Sequence, residues 1–163
     1  MTTTLFRSPG KDAAVRQVLV IPARTPAGSW GKVFFMFVLR QVTEILRETA
    51  VRPVPFAPPH LPGIARWQGR VVPVLSLEGC LNLAPNEDPR PDRLVAVRTR
   101  NARVGAILKS DPGLRLIRPP TEARTADGDL GIPPPLIRGI YEWTEGLLIV
   151  PHLENILSGK YAI

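Results

Sequence analysis

The chain says one thing twice. Residues 58–81 read Pro58-Pro59-His60-Leu61-Pro62-Gly63-Ile64-Ala65-Arg66-Trp67-Gln68-Gly69-Arg70-Val71-Val72-Pro73-Val74-Leu75-Ser76-Leu77-Glu78-Gly79-Cys80-Leu81. A shift of 76 positions lays them, without a gap, on Pro134 to Leu157. Identities fall at Pro58/Pro134, Pro59/Pro135, Gly63/Gly139, Ile64/Ile140, Trp67/Trp143, Val74/Val150, Leu77/Leu153, Glu78/Glu154 and Leu81/Leu157, while Val71 and Val72 meet Leu147 and Leu148. Each copy reads as a proline pair, a Gly-Ile strand carrying a Trp, a tight turn, a second apolar strand and a Leu-x-x-x-Leu turn of helix. The alternative is a coincidence of two proline-rich hairpins in a chain with 19 prolines, and chance rarely gives this much ungapped agreement. Self-similarity at a fixed period implies equivalent structural units, so the chain should build two lobes of one design.

The remaining segments are short and read mostly as strands. Met1 to Ala14 is a loose leader with a Pro9-Gly10 turn. Val15 to Ile21 holds a first strand, Ala23 to Gly31 a loop, and Lys32 to Val38 a strand buried on both faces by its aromatic and β-branched content. The next stretch keeps a helical spacing at Val38, Val42, Ile45, Leu46 and Thr49, and Arg40 to Glu48 uses good helix formers. Periodicity alone predicts a helix there, ended by Pro53 and Pro55. Ala84 to Asp92 is a loop of mixed charge with three prolines, the natural seam between lobes. Strands follow at Arg93 to Arg98, Arg103 to Lys109 and Leu114 to Arg118, then a long polar loop, Pro119 to Pro135. The second repeat unit closes the chain, leaving 159–163 as a tail. Short strands split by turn signals predict an all-β fold of two small β barrels, with lobes of roughly 15–84 and 92–158 whose segments can interchange.

Composition narrows the function. The 163 residues are 44% hydrophobic and 21% charged, which describes a soluble globular protein. The longest apolar run, Val33 to Leu39, falls far short of the ~20 residues of a membrane helix, so no membrane insertion is expected. Absence of a secretory pattern makes the cytoplasm the expected setting, and a single Cys80 excludes an internal disulfide. Because the repeat pairs Cys80 with Ile156, it reads as an inert core thiol. A net charge of +7 raises nucleic acid as the alternative partner. Arg90, Arg93, Arg98, Arg100 and Arg103 cluster around one hairpin, but that hairpin lacks the aromatics that single-strand binding interleaves with cations. They read better as solvated strand flanks.

No catalytic set emerges. The two histidines, His60 and His152, fall opposite Leu136 and Ser76 in the repeat; positions 76 and 152 stand at the entry to the Leu-x-x-x-Leu turn, where a structural part is expected, with Ser76 as N-cap and Pro151 as a first-turn proline. Two histidines and one cysteine show no zinc spacing, and the glycines lie singly rather than in a phosphate loop. We expect no enzyme, no cofactor and no metal. Pro133-Pro134-Pro135 aligns with Pro58-Pro59, so these prolines stiffen the approach to each repeat strand rather than serve as a ligand for an SH3-type partner.

The stretch Gly63 to Leu77 resembles the Gly-hydrophobic-x-Asn-Leu-Arg-Gly-x-hydrophobic-hydrophobic-Pro-hydrophobic-hydrophobic-Asp-Leu signature of CheW-like chemotaxis adaptors. Val42-Thr43-Glu44-Ile45-Leu46 is similar to that family's Val-x-Glu-Ile-Leu, and Arg93 to Val97, Arg103 to Leu108, Ile137 to Ile140 and Leu147 to Val150 follow its second half in order. The resemblance covers roughly 15–158. It implies two pseudo-symmetric SH3-like five-stranded barrels with short helical turns. It also implies a scaffold that joins chemoreceptor cytoplasmic tips to the regulatory domain of a CheA-like histidine kinase. In that fold the Val-x-Glu-Ile segment is a strand, which overrules the helix that periodicity predicts for Thr43 to Glu48. Carried over residue by residue, the partner-facing positions are Val42, Glu44, Ile45, Arg66, Gln68 and Gly69. Three departures stand out: Gln68 where the family has arginine before the turn glycine, and Ser76 and Pro151 where it has aspartate. A third acidic position of the family falls at Lys109-Ser110-Asp111. The apolar frame is kept and the polar positions change, as in a specialised adaptor.

Overall fold

The computed structural model describes residues 17–28, 31–46, 49–86, 88, 90–121, 124–125 and 130–159. The expected leader at 1–14, the first residues of the expected opening strand, positions 47–48 of the contested segment and the end of the tail lie outside them. Eleven strands and two short helices follow in order: β1 (Val18–Pro22), β2 (Lys32–Val38), β3 (Val42–Leu46), β4 (Gly63–Trp67), β5 (Arg70–Ser76) and α1 (Leu77–Cys80), then β6 (Arg93–Val97), β7 (Ala106–Ser110), β8 (Arg115–Ile117), β9 (Arg124–Thr125), β10 (Ile137–Trp143), β11 (Gly146–Pro151) and α2 (Leu153–Ser158). One sheet runs β8-β1-β2-β11-β10-β9 and the other β3-β6-β7-β5-β4. These are two pseudo-symmetric SH3-like barrels, each on a five-strand frame, with β9 added at one edge.

The repeat is exact at the level of register. Gly63, Ile64, Ala65, Arg66 and Trp67 stand opposite Val74, Pro73, Val72, Val71 and Arg70. Gly139, Ile140, Tyr141, Glu142 and Trp143 stand opposite Val150, Ile149, Leu148, Leu147 and Gly146, the same five pairs shifted by 76. Comparison of the sheet orders extends the match: β8 takes the place of β3, β1 of β6, β2 of β7, β11 of β5 and β10 of β4. The strand beside each repeat hairpin is parallel to it in both lobes, β2 along β11 and β7 along β5. In sequence, however, β1 and β2 precede β3–β5, and β6 and β7 precede β8–β11. Each lobe therefore takes its first hairpin from one half of the chain and its other frame strands from the other half.

This exchange explains why the strands are apolar on both faces. Successive side chains of a strand point to opposite sides. Leu19, Ile21, Val33, Phe35 and Phe37 enter one core together with Ile45, Leu75, Val95, Val97, Leu108 and Ile149 from both sheets. The alternate residues Val18, Val20, Phe34 and Leu148 fill the interior of one barrel. Leu46, Trp67, Val72, Val74, Leu94, Ala96 and Ile107 fill the interior of the other. A shared central core, flanked by two barrel interiors, thus consumes both faces of each central strand. The equivalent tryptophans behave alike: Trp67 lies in one barrel interior and Trp143 packs against the other, edge-on to Phe34 with ring centroids 5.3 Å apart.

The contested segment is a strand, and its false helical period has a physical source. The ladder to β6 slips between Val42 and Glu44, a β-bulge. One extra residue puts Val42 and Ile45, three apart, into the same central core, while Leu46 turns to the barrel interior. A bulged strand buried on both faces therefore copies the spacing of a helix. A second departure from expectation concerns 119–135, read as loop, which contains β9 paired with β10. A third concerns Pro151. It ends β11 rather than opening α2, and His152 is the cap, its Nδ1 accepting from the Asn155 N–H at 3.2 Å. Ser76 caps α1 at the equivalent position, accepting from the Gly79 N–H at 3.2 Å.

The glutamates that the repeat holds in common tie each half to itself across the lobes. Glu78 Oε1 accepts from the backbone N–H of Arg24 at 2.8 Å, and Glu154 Oε1 accepts from that of Arg100 at 2.5 Å. Arg24 and Arg100 are themselves 76 apart. A hydrogen bond to an ionised acceptor contributes roughly 1.5–3 kcal/mol. Glu78 is only 8% exposed, whereas the Glu154 bond is exposed. Glu78→Ala is therefore expected to destabilise by about 2 kcal/mol and Glu154→Ala by about 1 kcal/mol or less, in that order. Urea denaturation of both variants checks the ranking, and equal losses would contradict it.

Candidate partner-binding surface

The turn that joins β4 to β5 has two central residues, Gln68 at φ 47° and Gly69 at φ 78°. Positive φ at both is the two-residue geometry that follows the natural twist of a hairpin. Nothing stands within 4 Å of where a Cβ on Gly69 would lie, so backbone conformation alone favours glycine there. The equivalent hairpin places its positive φ at Gly146 instead, where a Cβ would come within 2.1 Å of the Lys32 carbonyl oxygen. The first turn is consequently open, and it carries Arg66, Gln68 and Gly69 at the surface.

Trp67 points the other way. Its indole Nε1 donates to Glu44 Oε2 at 3.2 Å. Glu44 lies on β3 and Trp67 on β4, the two end strands of the five-strand order, so this bond joins the sheet's edges. It also brings together the two sequence motifs that the resemblance picked out. Of the six expected partner-facing residues, Glu44 is half-buried beside the exposed Arg66, Gln68 and Gly69. Val42 and Ile45 are corrected: they are 7% and 1% exposed and their side chains belong to the central core. The bulge that turned them inward is what aimed them away from solvent.

Two exposed apolar residues escaped the sequence reading. Val71 is opposite Arg66 in the ladder and 58% exposed. With Ile64 and Arg66 it forms one wall of a groove of about 470 Å³ whose other wall is the segment 49–53. Phe56 is fully exposed at φ 60°, in a turn where the Ala57 N–H donates to the Val54 carbonyl at 3.3 Å. Left-handed backbone at a bulky residue is uncommon and unfavourable. The signal for it in the sequence was Pro55-Phe56, a turn proline followed by the residue that must accept positive φ.

The arginines divide. Arg90 pairs with Asp88 and with the buried Asp111, both at 2.7 Å, while Arg24 bonds Asp92 and the Arg90 carbonyl. Lys109 reaches Asp92 at 3.1 Å, so three cations and three carboxylates interlock at the seam 84–92. The Arg90 side chain, bonded to Asp88, holds that carboxyl well below the usual carboxylate range, and Asp88 in turn raises Arg90. Arg24 is the hub, since its backbone N–H serves Glu78 and its carbonyl accepts from Asn86 at 3.1 Å. Nothing in a linear reading connected position 24 with 88–92, because charges of mixed sign on two loops carry no periodic signal. Arg98, Arg100 and Arg103 line a separate small hollow with no aromatic among its lining residues. Asp111, at the third acidic position of the resemblance, is turned inward and 4% exposed.

Comparison with known proteins gives one family. The CheW-like domain pattern matches residues 29–160. The fold is similar to that in the crystal structure of the scaffolding protein TtCheW from Thermoanaerobacter tengcongensis, at a TM-score of 0.66 and 15% identity over 91% of each chain. No curated protein matches the sequence.

Cys80 lies half-buried at the end of α1, packed against the central core. Burial, with the Glu78 carboxylate adding to it, pushes its thiol up to about 12 from an ordinary 9.0. The thiolate is the reactive form, so near neutral pH the folded protein should react with thiol reagents about a thousandfold more slowly than the denatured chain. Because the folded value is raised, the associated stability is fully present below pH 9.0 and is lost as pH climbs towards about 12. Cys80→Ala should flatten that alkaline decline. Labelling kinetics before and after denaturation, with melts at rising pH, test both statements; rapid native labelling with the fold intact would refute them.

Proposed function

This chain belongs to the CheW-like domain family, and we propose that it works as a cytoplasmic, non-enzymatic adaptor of a chemotaxis-like signalling complex. It would join chemoreceptor tips to the regulatory domain of a histidine kinase, by surface binding alone. One observation carries the reading: the Trp67–Glu44 bond assembles the family's two motifs into one surface, fixed beneath and open above. The scaffolding role of TtCheW, whose fold this chain shares, supports it. Among the described residues no helix is long and apolar enough to cross a membrane. The nucleic-acid reading gains no comparable support, since Arg90 is engaged by Asp88 and Asp111 and the hollow at 98–103 has no stacking platform.

The expected partner surface is altered at an exposed polar position, Gln68. Arginine before the turn glycine offers a planar fork that pairs bidentately with a carboxylate, and Gln68 supplies no such charge. A charge-assisted bond in a desolvated interface is worth roughly 1.5–3 kcal/mol. Gln68→Arg is expected to strengthen binding to a family-typical receptor tip or kinase regulatory domain, with an unchanged melting point. Glu44 needs a more careful variant than exposure alone would suggest, because its carboxylate also holds Trp67. Glu44→Gln keeps an acceptor for the indole and removes the charge; Glu44→Arg removes both and should cost about 1 kcal/mol of stability as well. Both are expected to weaken binding to the natural partner. Calorimetric titration of the three variants, with thermal melts alongside, checks this. Unchanged affinity in all three would place the interface elsewhere.

A further inference from the structure

The two lobes share a register, and at one edge they differ. In the first, β9 adds a short antiparallel strand outside β10, with Thr125 opposite Tyr141 and Arg124 opposite Glu142. Shifted by 76, Tyr141 and Glu142 become Ala65 and Arg66 on β4, the end strand of its sheet. There the described residues provide a single bridge. Arg52 and Ile64 exchange backbone bonds, Arg52 N–H to Ile64 O at 2.8 Å and Ile64 N–H to Arg52 O at 2.9 Å. Among the described residues no strand pairs with the outer side of β4 at Arg66. Beyond the bridge the segment 49–51 diverges, and the gap between it and Ile64, Arg66 and Val71 is the groove of about 470 Å³.

We infer that this groove receives a short extended, acidic segment of a partner protein, which adds to β4 at Arg66 as β9 adds to β10. Backbone at a sheet edge is a template for another strand, and main-chain bonds supply the attachment while pockets for alternate side chains supply the choice. The neighbouring lobe shows a two-residue strand to be accommodated at the equivalent edge. The charge of the occupant follows from the edge it would meet. There β4 presents the exposed, basic Arg66, so the complementary residue is a carboxylate, opposite charges being favourable across a strand pair. Arg52 is a second exposed cation on the groove wall, and among the described residues that line it none is acidic. Ile64, Val51 and Val71 then offer apolar contact to the flanking residues of the guest, which favours valine or isoleucine there. The inference deepens the adaptor reading and rests on it only in supposing a protein partner.

The probe is a short synthetic peptide alternating threonine and valine around a central glutamate, titrated into the full chain with backbone NMR as the readout. Saturable binding is expected, with the largest amide shifts at Arg66 and along 49–52. A peptide with lysine in place of glutamate should bind about threefold more weakly or worse. N-methylation of the central peptide bonds should weaken binding about tenfold by removing main-chain donors. Arg66→Glu, at an exposed position, should reverse the preference between glutamate and lysine. Absence of saturable binding, indifference to N-methylation, or an unreversed charge preference would each overturn the inference, as would tighter binding by a helical peptide of like composition. The adaptor reading is scored separately, by the titrations of receptor tip and kinase domain. Kinase binding without peptide binding rejects the strand addition alone, and peptide binding without receptor or kinase binding rejects only the adaptor assignment.

Discussion

The structure depends on a core that neither half of the chain could close by itself. Leu19, Phe35 and Phe37 from the first sheet meet Leu75, Val95 and Leu108 from the second, and all are nearly or wholly buried. Apolar burial is worth roughly 25 cal/mol per Å², so stripping one sheet from the other would expose the apolar surface of this shared cluster at that cost. Because the first hairpin of each half lies in the opposite lobe, this core forms only when both halves are in place. Glu78 and Glu154 then tie each half across the lobes through the backbone of Arg24 and Arg100. The cations and carboxylates around Arg24 fasten the connecting loop 84–92 over the same seam.

A rigid interior of this kind suits a protein that acts through its surface. The β4–β5 turn lies at the end of a hairpin whose inner residues, Ala65, Trp67, Val72 and Val74, are packed in a barrel interior. Its outer residues, Arg66, Gln68, Gly69 and Val71, are exposed. The pseudo-symmetry is where the two lobes can be compared as if one were a control for the other. At the first hairpin the turn is open and the outer edge is left with a single bridge; at the second, Gly146 is pressed against β2 and β9 covers the edge. The two lobes repeat one unit and differ at its rim: β9 pairs along one edge, while among the described residues the other carries a single bridge.

Much of this was legible beforehand. The ungapped repeat announced two equivalent lobes, and the register of the two hairpins agrees pair for pair. The resemblance identified the strand at Val42 to Leu46 where hydrophobic spacing pointed to a helix. Spacing failed there because a bulge lets residues three apart share one side, which a one-dimensional pattern cannot distinguish from a helical turn. Of the expected partner-facing positions, Arg66, Gln68 and Gly69 are exposed, whereas Val42 and Ile45, whose orientation is set by that same bulge, are buried.

By itself, then, the sequence determined the unit, its duplication, the turn chemistry at Gln68-Gly69 and the absence of a membrane-length apolar run. These are local properties: apolar alternation, a glycine able to take positive φ, a spacing repeated in one frame. Only the tertiary structure decided which hairpin joins which lobe, that Trp67 reaches Glu44, and that Arg24 gathers Asp88, Asp92 and Asp111. Those contacts join residues that are distant along the chain, and their energies depend on burial and geometry that no single segment contains. Hydrophobic burial is non-directional and leaves the pairing of halves open. The choice falls to the combined fit of both sheets against one shared core.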